Sequence, residues 1–133
     1  MSHFTKVATK IQNLTALLKA LTALGYQYTH DEQGATVKGY QGQTTKAEVS
    51  IHMGTYDIGV VKQQDGNYTL EADWWGVETT VGKYENEIVD EINHQYAYVC
   101  VQEACAEQGY QIAKEDVQME EDGTINLIAT KWA

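Results

Sequence analysis

Asp57-Ile58-Gly59-Val60-Val61-Lys62, then Gln64-Asp65-Gly66-Asn67, then Tyr68-Thr69-Leu70-Glu71-Ala72 is the stretch from which the fold is read. Both flanks are short runs rich in β-branched and aromatic residues. The Asp-Gly between them supplies the backbone freedom of a tight hairpin turn. Strands joined this closely pair antiparallel, because a parallel pair needs a crossover of about a dozen residues or more.

The same texture continues toward the N-terminus. Ala47–Met53 alternates, with Ala47, Val49 and Ile51 on one face, and follows the turn residues Gly42-Gln43-Thr44-Thr45. Ala35–Tyr40 and Tyr26–His30 read as two further strands separated by Asp31-Glu32-Gln33-Gly34. Before them Ile11, Leu14, Leu17, Leu18, Leu21 and Leu24 recur at helical spacing, with Thr9 as the expected N-cap and Gly25 at the left-handed C′ position. Residues 3–8 read as a short first strand.

Toward the C-terminus, residues 83–108 predict a second helix. At about 100° per residue Ile88, Val89, Ile92, Tyr96, Val99, Cys100 and Ala104 share one side, opposite Glu87, Asp90, Glu91, His94, Gln95 and Gln102. Gly109 ends it. Tyr110–Ala113 and Ile125–Trp132, with a turn at Glu121-Asp122-Gly123-Thr124, predict a closing hairpin. The expected order is β-α-β-β-β-β-β-α-β-β. This is an α+β fold in two layers, an antiparallel sheet with two helices on one face, in a single domain over residues 1–133.

Composition narrows the function classes. With 43% apolar residues, nine tyrosines and three tryptophans, the chain can build a core without staples. Cys100 and Cys105 are too few for a disulfide framework, which fits a reducing compartment. The first residues lack the basic-then-apolar pattern of a secretory signal, and no apolar run approaches the roughly 20 residues of a membrane span. Neither a secretory leader nor a membrane partner is expected. Charge is uneven: residues 1–66 carry six lysines against five acids, residues 67–133 three lysines against fourteen. The acidic half repels phosphate backbones, so no nucleic-acid partner is expected. It is read either as a solvated face or as a surface that docks a basic partner.

Motifs for chemistry are sparse. Cys100 and Cys105 stand about 140° apart around a helix and cannot clamp one metal. His3, His30, His52 and His94 show no ligand spacing, so no metal and no cofactor are expected. No phosphate loop, nucleophile elbow or carboxylate couple appears, and no catalytic residue is assigned. Asp57 in Tyr56-Asp57-Ile58-Gly59 has the chemistry of a general base, or of an acid that shapes a turn. Asp73-Trp74-Trp75-Gly76 is the most unusual local sequence. Adjacent tryptophans on an extended chain point opposite ways, so one packs inward and the other shields an edge or faces a ligand.

Ser2-His3-Phe4-Thr5, Gly39-Tyr40-Gln41-Gly42-Gln43-Thr44, Tyr56-Asp57-Ile58-Gly59, Tyr68-Thr69-Leu70-Glu71-Ala72-Asp73, Tyr96-Ala97-Tyr98, Gln108-Gly109-Tyr110, Asp122-Gly123-Thr124-Ile125 and Lys131-Trp132 together resemble a known family. It is an open-reading-frame family of cyanobacteria and algal plastids, a domain of unknown function. The resemblance runs nearly end to end. It implies a cyanobacterial, plastid or cyanophage source and a cytoplasmic or stromal location, and it brings no catalytic residues. It departs at Trp74–Thr80, where the family carries a longer, proline-containing link.

The functional expectation is a non-enzymatic accessory protein that binds another protein, or a second copy of itself through a sheet edge, in a photosynthetic cell or its phage. The alternative is a small-molecule binder or enzyme with a pocket between sheet and helices. Candidate binding residues are His3, Tyr40, Tyr56, Asp57, Asp73, Trp74, Trp75 and Tyr96.

Overall fold

The alternating residues of 44–72 form the centre of a five-stranded antiparallel sheet. The computed structural model describes residues 4–106, 108–127 and 130–131. Across the sheet the order is β1 (Thr5–Ala8), β5 (Tyr68–Ala72), β4 (Asp57–Lys62), β3 (Thr44–His52) and β2 (Gln27–Lys38). The β4–β5 hairpin sets Val60 opposite Leu70, and its turn closes with Gln63 N–H donating to Asn67 O at 2.8 Å over a positive-φ Gly66.

Helix α1 (Leu14–Ala23) and helix α3 (Glu85–Ala106) cover one face of this sheet. Leu17 and Leu21 of α1 and Ile88 and Ile92 of α3 meet Ile51, Ile58 and Leu70 from the strands, all fully buried. Each such side chain contributes roughly 1.5–3 kcal/mol by leaving water. Apolar side chains therefore fill the space between sheet and helices.

Several expectations are corrected in detail. Asn13, not Thr9, caps α1, its side chain accepting Ala16 N–H at 3.1 Å. The Thr9 hydroxyl instead donates to Tyr68 O and accepts Ile11 N–H, fastening the chain to β5. Residues 26–30 and 35–40 are not two strands. Gln27–His30 and Ala35–Lys38 both pair with β3, so the chain does not reverse, and the Asp31–Gly34 segment is a register shift within one strand. Trp74–Val81 forms a helix, α2, that strand-like periodicity did not announce. Asp73 caps it and Gly82, at φ 80°, ends it.

Beyond the register shift the β2–β3 hairpin bends back over the second face of the sheet. A Cβ on Gly59 would lie 3.0 Å from Val37 Cγ2 and 3.1 Å from Ala47 Cβ, so the glycine makes room for both. Lys38 N–H donates to Asp57 Oδ2 at 2.9 Å, and Ala35, Val37 and Ala47 are buried there.

The C-terminal region holds two small pairs instead of one closing hairpin. β6 (Tyr110–Gln111) pairs with β9 (Thr130–Lys131), and β7 (Val117–Met119) with β8 (Ile125–Leu127). Val117 joins Ala97 and Val101 of α3 in a second apolar cluster, which also takes up Cys105. That thiol is half-buried, and Cys100 packs against the main core. His94, on the polar side of α3, has its Nε2 2.9 Å from Lys114 O. Among the described residues no helix is long and apolar enough to cross a membrane.

Candidate functional site

Two glycines let aromatic rings close on the end of the sheet. A Cβ on Gly39 would come within 2.7 Å of the Phe4 ring, and one on Gly76 within 2.3 Å of the Tyr56 ring. The first contact holds the tip of the β2–β3 hairpin, a short 3-10 turn at Tyr40–Gly42, against the residue that enters β1. The second holds the first turn of α2 against the residue that enters β4. Tyr40 and Trp75 meet across the resulting seam, edge to face, with ring centroids 6.4 Å apart and planes at 84°. Both stay open to solvent, Tyr40 at 36% and Trp75 at 56%.

Trp74 takes the inward position, 7% exposed, its indole N–H donating to Thr5 O at 3.1 Å. Asp73 is buried: Oδ1 accepts Gly76 N–H at 3.3 Å, while Oδ2 has no hydrogen-bond partner among the described residues. Tyr40, Tyr56, Asp73, Trp74 and Trp75 are thus brought together around the start of α2. Tyr96 is not among them. It is buried on α3, its hydroxyl accepting the N–H groups of Gln12 at 3.2 Å and Asn13 at 3.1 Å, which seats the entry to α1. His3 lies outside the described residues.

Asp57 belongs to a second constellation, which the sequence did not disclose. The residue is 1% exposed. With Oδ2 occupied by Lys38 N–H, its Oδ1 lies 3.2 Å from His52 Nδ1. The other ring nitrogen, Nε2, lies 2.8 Å from Thr29 Oγ1. His52 and Asp57 are cross-strand partners at the mouth of the β3–β4 turn, and Thr29 lies opposite Ser50 on β2. Thr29, His52 and Asp57 line a groove of about 470 Å³, together with Asp31, Lys38 and Lys46. The signal that could have found this pair is positional: His52 and Asp57 flank a four-residue turn containing Gly54, so hairpin register sets them side by side.

Among the described residues no group of three potential ligands is arranged to hold a metal ion. Burial pushes the Cys100 thiol above its ordinary value, against a lowering by its contact with Tyr96 and with a further raising by Glu103. A thiol so shifted is a poorer nucleophile at neutral pH.

Residues 20–128 match the family described as "Protein of unknown function (DUF1257)". The chain is 32% identical over 135 residues to "Uncharacterized protein ycf35" of Cyanophora paradoxa, covering 99% of this chain and 98% of that one. The proteins of the same name from Pyropia yezoensis and Guillardia theta are 30% and 32% identical, each again across 99% of this chain and 98% of their own. No solved structure matches the chain.

Proposed function

The chain belongs to the DUF1257 family, whose members are of unknown function, and from its surface we propose that it is an accessory protein that docks another protein through Tyr40 and Trp75. The observation that carries this reading is the exposure of two large rings in mutual contact on a backed platform. Aromatic side chains dominate interface hot spots because they bring much contact area at little entropic cost. Here the ordering cost is further reduced, since Phe4 and Tyr56 already brace the two segments that present the rings.

The partner is an apolar anchor ringed by basic residues. An anchor of that kind packs over the two touching rings, and the acidic balance of residues 67–133 complements its charge. The algal relatives favour a setting in a photosynthetic cell: cyanobacterial cytosol, plastid stroma, or the cytosol of a phage-infected host. Self-pairing along the open edge of β1 or β2 is the competing mode of association.

The test is affinity capture from a cyanobacterial lysate with wild type and the Tyr40→Ala/Trp75→Ala variant in parallel, with light scattering on the purified protein. A stoichiometric partner that the variant loses and that high salt weakens supports the reading. A partner retained equally by the variant moves the docking surface elsewhere. A strict monomer that captures nothing from such a lysate overturns the proposal.

A further inference from the structure

From the groove on the sheet's second face we infer that Thr29, His52 and Asp57 form a nucleophile-activating triad that hydrolyses small acyl esters bearing a negative charge. This is independent of the docking surface.

The hydrogen-bond directions follow from the donors available. Asp57 is buried with one oxygen taken by the Lys38 N–H, so its second oxygen accepts from His52 Nδ1–H at 3.2 Å. That fixes the tautomer of a neutral ring, and Nε2 is then an acceptor. Thr29 must donate its hydroxyl proton to it, at 2.8 Å. A hydroxyl aimed at an imidazole that a buried carboxylate orients is the arrangement by which serine and threonine become nucleophiles. The order acid, base and hydroxyl runs from buried to exposed: Asp57 at 1%, His52 at 38% of its side chain, and Thr29 open to the groove.

The substrate class comes from the lining. Lys38 and Lys46 balance Asp31 and the buried Asp57 in the lining, and the Lys46 ammonium, fixed by the Thr36 hydroxyl at 2.7 Å, supplies a cation for an anionic substituent. In the first half-reaction Thr29 Oγ1 attacks the ester carbonyl carbon while its proton passes to His52 Nε2. The ester C–O bond breaks, and the leaving alcohol takes that proton. In the second half, a water gives a proton to Nε2 and attacks the acyl-threonine, and the proton returns to Oγ1. Ester and water become acid and alcohol, and the side chain is restored. Thr29 and His52 are the catalytic residues, and Asp57 is a positioning residue.

The experiment uses 4-nitrophenyl hemisuccinate and neutral 4-nitrophenyl acetate with wild type, Thr29→Val, Thr29→Ser and His52→Gln, each checked for native circular dichroism. Thr29→Val keeps a β-branched side chain of nearly the same shape on the strand. The expected result is release of nitrophenolate that falls about 100-fold or more in Thr29→Val and His52→Gln and persists in Thr29→Ser. Intact-mass and peptide analysis should place the acyl group on Thr29, and the charged ester should be preferred. Equal hydrolysis by wild type and Thr29→Val, acylation at another residue, or no turnover by wild type above buffer would overturn the inference.

Discussion

The ring of Tyr56 occupies the space where Gly76 has no side chain, so that a Cβ there would lie 2.3 to 2.6 Å from three of its carbons. In a helix interior Gly→Ala ordinarily stabilises by about 1 kcal/mol. At this position the sign reverses, because the added methyl must displace a ring wedged between α2 and the entrance to β4. Gly76→Ala should destabilise by about 1–3 kcal/mol, the usual cost of overpacking. Urea unfolding of the single variant and of Gly76→Ala in a Tyr56→Ala background measures it. The cost should vanish in the double variant, where the ring is gone.

The two tryptophans should separate cleanly. Trp74 is buried with its N–H bonded to Thr5 O, so Trp74→Ala should cost about 3–5 kcal/mol. Trp75 is more than half exposed, and Trp75→Ala should shift stability by less than about 1 kcal/mol. Acrylamide quenching reads the same difference without unfolding: Trp75 is accessible and Trp74 is shielded. Comparable losses of stability in both variants would mean that Trp75 supports the fold and is not free to dock a partner.

How much of this was legible in the sequence depends on the range of the interactions. The antiparallel β3–β4–β5 core and the two long helices rest on local periodicity and turn residues, and both were readable. Asp31-Glu32-Gln33-Gly34 has the composition of a turn, but the pairing of both flanks with β3 makes it a bend within one strand. That bend is decided by distant contacts, Val37 and Ala47 on Gly59, which no local window contains. Helix α2 was hidden because Trp74-Trp75 reads as strand, while its formation rests on the Asp73 cap and the fit of Tyr56 over Gly76. Tyr40 and Trp75 were visible as unusual residues, but their contact depends on the bend. His52 was visible only as an isolated histidine, since Thr29 reaches it across a strand pair.

Alkaline pH should weaken the fold through its tyrosines. Burial, and then the hydrogen bond and charge of Glu91, raise the Tyr26 phenol well above its ordinary value of 10.0. Burial also raises Tyr68, with help from the Glu48 charge and hydrogen bond. It raises Tyr96 too, where the Asn13 and Gln12 N–H groups oppose the shift and Cys100 adds to it. The unfolded chain releases these protons near pH 10, while the folded chain keeps them. Their contribution is therefore complete below about pH 10 and is lost as pH rises from there toward the folded values. Urea midpoints from pH 8 to 11 should be level at first and then fall. Tyr26→Phe removes one of the three protons and the contact with Glu91. It should start less stable at pH 8 and lose less between pH 10 and 11, so that its curve converges on wild type. Parallel curves would show that Tyr26 ionises alike in both states and that its contact with Glu91 does not hold the proton.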